Sequence, residues 1–421
     1  MICLTLIFIF FFTVSHFFDR IRNLEKQGIV AILFVTSVFL FHPLFNVTLI
    51  LGLVFYLRRF SFVKLAANRM NLLFIALFLV YAISALVSFE NGSREFSTVE
   101  RLLPLVLIPI MFVSVAPKAP LYFLAMFACV TGIVLFGFAF SDVLLIGSMD
   151  FLSFDHFANF YHPVYLSYMV FFAICYVQEH FSSKTKYAFQ LALFGLLVFL
   201  GSKMVLSMAL ILFLLFFVDY RSNGKKVLLV GCGLLAALML FRPVQNRFKE
   251  IIDYKDLSVL NETKLEPNDD RINGLTLRLI LWREAFATLE NWQERIFGNG
   301  AARSKERELK QRLEKLGLRQ HIDYNPHNQF IDTYMRTGIL GLAFLLAIPI
   351  WAVYLGKKKG YRMLTVVALF AFLCMFTEAI FGRVRGVYFF TTIFILLTNN
   401  LRHAQNSDIR NKRRPEPLRR V

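Results

Sequence analysis

Uninterrupted apolar stretches, several of them long enough to cross a bilayer, decide most of what this chain can fold into. Runs such as 71–89, 121–141, 163–180 and 337–355 carry almost no charge. About 20 residues of α-helix span a hydrocarbon core, and there every backbone amide must be bonded within the protein, which leaves helices and closed barrels. The runs are continuous rather than alternating, so a barrel is excluded. The expected fold is all-α: a polytopic membrane protein of about 12 or 13 transmembrane helices with one large, mainly helical loop. A content of 57% hydrophobic residues, 49 of them Phe, agrees.

A net charge of +18 raises the question of nucleic acid, but the placement of the charge argues against it. Basic residues gather in short turns between apolar runs, at Arg58-Arg59, Lys184 to Lys186, Lys225-Lys226 and Lys357 to Lys359, and again in the tail from Arg410 to Arg420. That is how cytoplasmic loops are marked. The five cysteines (Cys3, Cys129, Cys175, Cys232 and Cys374) lie in apolar runs without ligand spacing, and read as small hydrophobes. The apolar N-terminus lacks a basic leader and is expected to be a retained helix.

Following the basic turns along the chain gives a topology. A first run, 2–19, ends at Asp19 to Arg22 on the inside. The run 28–57 contains Pro43 and reads as two short helices, out and back. Segment 71–89 goes outward, Asn91 to Glu100 is polar and outside, and a crossing at 102–116 begins beside Arg101. Helices at 121–141 and 163–180 flank an aromatic, interfacial stretch, Asp150 to His162. The double-length run 187–219 is interrupted at Gly201-Ser202-Lys203, which places Lys203 at an outward apex. A crossing at 226–241 delivers a long external loop, 242–330, in which acids and bases are nearly balanced. Crossings at 337–355, 363–382 and 387–400 complete the membrane part. The domain reading is 1–241 membrane helices, 242–330 large external loop, 331–400 membrane helices and 401–421 basic cytoplasmic tail. No internal repeat is apparent, which weakens a transporter reading.

Three groups share the outer face under this topology: Lys203, Arg278 and His327. Lys203 in an apolar hairpin needs an anion or water nearby, or snorkels to the headgroups. Arg278 and Trp282 share a helix face at i, i+4, and a guanidinium can grip two phosphate oxygens; a solvated helix would carry the same spacing. His327, in Asn325-Pro326-His327-Asn328-Gln329, sits where polar loop turns into apolar helix. Its imidazole can accept a proton near neutral pH, though a lone histidine is commonly structural. His162-Pro163 faces the same side and competes for any histidine role. Asp269-Asp270 is an isolated acidic pair. No metal-ligand, Walker or dinucleotide pattern occurs, so neither metal nor cofactor is expected, and the energy for a transfer would come from the substrate's own linkage.

Several ordered pieces resemble the O-antigen ligase and O-antigen polymerase family of bacterial inner-membrane proteins. They are Gly201-Ser202-Lys203, Arg278 to Trp282, Phe297-Gly298-Asn299-Gly300, His327-Asn328-Gln329-Phe330 with Gly338 to Leu342, and Phe376-Thr377-Glu378 with Arg383, Arg385 and Gly386. His162 to Ser167 is similar to a His-Pro-x-Tyr segment of some branches. Lys203 departs from the family's usual arginine and loses its bidentate fork. The resemblance implies an inner-membrane enzyme, with its active site facing the periplasm, that transfers a glycan from undecaprenyl pyrophosphate to an acceptor hydroxyl. His327 would be the general base, with Arg278 and Lys203 neutralising the departing pyrophosphate. Arg283, Asn328, Arg385 and His162 would contact substrate. The acceptor would be a lipid A–core sugar in a ligase or a carrier-linked repeat unit in a polymerase. From a different class, a lipid-linked oligosaccharide transporter predicts charges along a central pathway instead.

Overall fold

The computed structural model describes residues 26–37, 42–57, 60–88, 93–113, 118–146, 163–181, 183–200, 202–217, 257–266 and 269–412. The expected first run, the stretch Asp150 to His162, the crossing at 226–241 and the end of the tail lie outside them. Among the described residues the chain is all-α, as the apolar runs require. The membrane part comprises α1 (Lys26–Ser37), α2 (His42–Leu57), α3 (Phe62–Ala67), α4 (Arg69–Val87), α5 (Ser93–Leu102), α6 (Pro104–Phe112), α7 (Lys118–Ile146), α8 (Pro163–His180), α9 (Ser183–Phe199) and α10 (Lys203–Phe217). The loop contributes α11 (Gly274–Ala287), α12 (Trp292–Phe297) and α13 (Lys310–Leu316), and the chain then runs through α14 (Gln329–Lys358), α15 (Arg362–Met375) and α16 (Val384–Lys412).

Among the described residues, three segments are long and apolar enough to cross a membrane: Arg69–Val87, Gln329–Lys358 and Val384–His403. The apolar helices α2, α9, α10 and α15 are shorter. The double-length runs divide as expected. Within 28–57 the described residues form two helices, α1 and α2, and Pro43 sits in the first turn of α2, where a missing N–H is harmless. Of the crossing expected at 102–116, the described residues form α6, with Leu103 between it and the end of α5. Pro104 opens α6, and its ring and missing amide disfavour continuing the preceding helix through it. Residues 93–100 of the polar stretch lie in α5.

Inside a bilayer apolar burial does little to bring helices together, so close packing and polar contacts must. Asn68, which caps α4, donates to the Asn399 side-chain oxygen at 3.0 Å, and Asn399 donates to the Phe112 carbonyl at 2.9 Å. Those bonds tie α4, α6 and α16 at one end. At the other end of α4, Ser84 donates to the Arg336 carbonyl at 2.7 Å, and the Tyr81 and Thr333 hydroxyls meet at 2.9 Å. Helix α14 packs along both α4 and α15 and so joins the loop to the bundle.

The loop has an apolar core of its own, with Val259, Ile280, Leu281, Leu309 and Leu313 buried. Ile331 and Met335 from the first turns of α14 complete that core, so the loop is seated on α14. Helix α13 continues a π-helical turn, Ser304–Leu309. The buried Glu95 carboxylate of α5 accepts from Ala302 N–H at 2.8 Å and Arg303 N–H at 2.7 Å at the start of that turn. This latch puts 93–102 and the loop at the same end of the bundle. Farther out, Arg271 grips Asp269 and Glu262 and holds the Asp269 carboxyl below the usual carboxylate range.

Two glycines allow α12 to cross α14 backbone to backbone. Gly298 (φ 78°) lies where a β-carbon would stand 2.3 Å from the Arg336 carbonyl group, and Gly338 (φ 65°) where one would stand 2.2 Å from Ile296. Gly338 also kinks α14, dividing it into a short segment under the loop and a long one in the bundle.

Candidate functional site

The seam Asn325 to Gln329 is held by residues from several elements. Asn325 turns its side-chain oxygen onto the His327 amide at 2.8 Å. Asn328 leaves extended backbone and caps α14, accepting from Phe330 and Ile331 N–H at 2.9 and 3.1 Å. Buried Gln329 donates to Thr333 at 2.9 Å and accepts the Phe381 amide at 2.6 Å, which docks the 380–382 turn onto the seam. From the far side Arg101 donates to the Gly382 carbonyl at 2.9 Å. The Trp282 indole donates to the Pro326 carbonyl at 2.7 Å.

Between these anchors His327 adopts φ 46°, the left-handed region, alone among the described non-glycine residues. A side chain there costs about 1–2 kcal/mol relative to ordinary backbone, and such strain persists where surroundings over-determine it. Its Nδ1 lies 3.4 Å from the Glu378 carboxylate, with the histidine side chain 31% exposed and the glutamate 19%. The Tyr324 ring stands edge-on to the imidazole at 5.8 Å between centroids. A carboxylate on Nδ1 favours the tautomer that leaves Nε2 free to accept a proton.

Arg278 lies one helical turn before Trp282 in α11, about 6 Å along the axis, on the face that reaches the seam through the indole. It is half-buried and, among the described residues, makes no hydrogen bond or ion pair, unlike Arg283 and Arg303. Its guanidinium donors are thus not used by any of the described residues.

Lys203 is the first residue of α10. The C-terminal end of α8 meets the start of α15, where the Met363 amide donates to Glu179 at 2.8 Å. Helix α9 folds back along α8 from that point. The turn before Lys203 thus returns to the end of the bundle that carries Glu378 and His327. The start of α8, immediately after His162, lies at that end too; His162 itself is outside the described residues.

The expected substrate contacts fare differently. Arg283 is engaged inside the loop: it donates to the carbonyls of Leu260 and Glu262 and pairs with Glu284 at 2.7 Å. Asn328 is occupied with its cap. Arg385 lies half-buried in the first turn of α16, two residues after exposed Arg383. Sequence reasoning placed Glu378 in a motif without giving it a role; only its approach to His327, 51 residues away in the chain, reveals one. The structural use of Trp282 and Asn325 was likewise unread, although an Asn side chain that bonds the backbone two residues on is a known turn device.

No curated protein matches the chain. A family model described as O-antigen ligase matches residues 188–346. The matched stretch runs from α9 through the loop into α14, so it includes Lys203, Arg278 and His327 and stops short of Glu378 and Arg385. Over that stretch, which carries the seam into its membrane-length helix, the chain is similar to the O-antigen ligase family.

Proposed function

We propose that this chain is a ligase-type glycosyltransferase, moving a glycan from undecaprenyl pyrophosphate to a hydroxyl of a lipid A–core sugar at the periplasmic face of the inner membrane. The observation that carries the reading is the strained His327, backed by a carboxylate and half-open to solvent, at the point where the loop enters the membrane bundle. In the reaction His327 Nε2 takes the acceptor hydroxyl proton while that oxygen attacks the anomeric carbon. The anomeric carbon–oxygen bond to phosphate breaks, and undecaprenyl pyrophosphate leaves with the electron pair. The proton then passes from imidazolium to solvent.

Arg278, its donors unused by the described residues, would bind the two phosphate groups as charge develops on them, and Lys203 would add a second cation at the same end. Arg385 is proposed as a further contact with the donor. Arg283 and Asn328 would serve by holding the loop and the seam, and His162, outside the described residues, is proposed as a further substrate contact. Glu378 would keep the imidazole oriented, as carboxylates do behind catalytic histidines.

The test is transfer by purified full-length protein, given an undecaprenyl-pyrophosphate glycan and both a lipid A–core and a carrier-linked acceptor, with EDTA and no nucleotide. Glycan on lipid A–core, lost in His327→Ala, is the expected result. Chain growth on the carrier would make the protein a polymerase. Transport of the donor across liposomes without transfer would replace both readings with the transporter.

A further inference from the structure

Helices α4 and α14 meet near Ser84 and Arg336, under the seam. Toward their other ends they leave a groove of about 610 Å³ between them, lined by Arg69, Leu72, Ala76, Phe344, Trp351 and Tyr354 together with other apolar side chains. Its volume falls within the roughly 300–1,000 Å³ range of small-ligand sites. The groove opens sideways, since Leu72, Ile350 and Tyr354 on its rim are exposed.

Its position is informative. Arg69 opens α4 and Tyr354 lies just before Lys357 to Lys359, so the groove ends among the basic turns, at the opposite end of the bundle from His327. Arg402 reaches the same end, donating to the Ala67 carbonyl. One cation, Arg69, lines the groove, and a second, Lys358, stands on Tyr354 at its rim. The Arg69 guanidinium lies 4.8 Å over the Trp351 ring, and Lys358 donates to the Tyr354 hydroxyl at 3.1 Å. Neither has a carboxylate partner among the described residues.

An apolar trough excludes a small water-soluble anion as its main occupant, and two unneutralised cations at its end call for a negative headgroup. A second copy of the chain packed here would have to bring acids to these cations. The exposed flank of α4 beside the groove offers Leu79, Ile83 and Leu86, and no acid. We propose that the groove binds one anionic phospholipid from the leaflet at the basic end, its acyl chain between α4 and α14 and its phosphate between Arg69 and Lys358. The site is separate from the transferase seam, and its test does not depend on transfer.

The experiment is native mass spectrometry of the full-length protein released from detergent, titrated with phosphatidylglycerol and with phosphatidylcholine of matched chains. Wild type is expected to retain one phosphatidylglycerol in preference to phosphatidylcholine. The double variant Arg69→Gln, Lys358→Gln is expected to lose that preference by about thirtyfold, the effect of two membrane-surface cations. Ala76→Trp fills the trough and is expected to displace the lipid with both cations intact; normal elution of each variant on gel filtration establishes folding. Equal retention of the two lipids by wild type would overturn the proposal, and so would unchanged retention in folded variants. Displacement by inorganic phosphate alone, or a disulfide between two copies through Leu72→Cys, would overturn it in favour of a free anion or a dimer face.

Discussion

Removing the Glu378 carboxylate tests whether His327 works alone. The contact is 3.4 Å, longer than the roughly 2.7–2.9 Å of a tight charge-assisted bond. Both side chains are partly exposed, so water screens the interaction and competes for the imidazole. A value of about 1–2 kcal/mol lies between exposed ion pairs and buried charged hydrogen bonds, and corresponds to roughly a five- to thirtyfold loss of kcat for Glu378→Ala. Glu378→Gln keeps an acceptor without the charge and should lose less. Glu378→Asp draws the carboxylate back by one methylene and should resemble alanine. Because the carboxylate acts through the imidazole, adding Glu378→Ala to His327→Ala should cost nothing more. Initial rates of glycan transfer at saturating donor measure all of these. An unaltered kcat in Glu378→Ala, or a further loss of the same size in the His327→Ala background, would show that Glu378 does not act through His327.

Three other perturbations follow from the geometry. Trp282→Phe deletes the bond to Pro326 and should loosen the seam by about 1 kcal/mol; hydrogen exchange at 325–331 should quicken and transfer fall severalfold, and unchanged exchange would remove the indole as an anchor. Gly298→Ala places a β-carbon on the Arg336 backbone at a positive φ, so it should destabilise by at least about 2–3 kcal/mol. A Tm equal to wild type would contradict the backbone crossing. His327→Gly and His327→Val should both be inactive, yet differ in stability. Glycine relieves strain of about 1 kcal/mol, whereas a β-branched residue worsens it, and a valine variant as stable as the glycine one would refute the left-handed assignment.

What could be read from sequence was what local pattern determines. Continuous apolar runs implied helices, and Asn273, Asn291 and Asn328 stand where the loop helices and α14 begin, each capping its helix. The spacing of Arg278 and Trp282 put them on one face, and the structure uses that face at the seam. Long-range pairings were not legible in the same way. Glu378 meets His327, Glu95 meets Ala302 and Arg303, and Phe381 meets Gln329 because helices from distant parts of the chain pack together. No periodicity within either segment encodes such a partner. Pro104 was visible, but a proline in an apolar run leaves open whether the helix bends or stops. Here α5 presents polar residues to the loop, and the chain stops and restarts.

The way the seam is anchored bears on how the site can fail. His327 is held in unfavourable backbone by bonds that come from independent places: Trp282 on α11, the Asn328 cap on α14 and the Phe381 amide in the 380–382 turn. Each is an ordinary hydrogen bond worth about 0.5–1.5 kcal/mol, comparable with the strain itself. Any one can be lost while the others still hold the backbone near its place, so single anchor variants should reduce transfer in steps. The imidazole has no such redundancy, because among the described residues no other histidine stands at the seam with a carboxylate behind it. Substitutions around the seam should therefore produce graded losses, and substitution of His327 a complete one. An anchor variant that abolished transfer in well-folded protein would mean that the anchor itself meets the substrate.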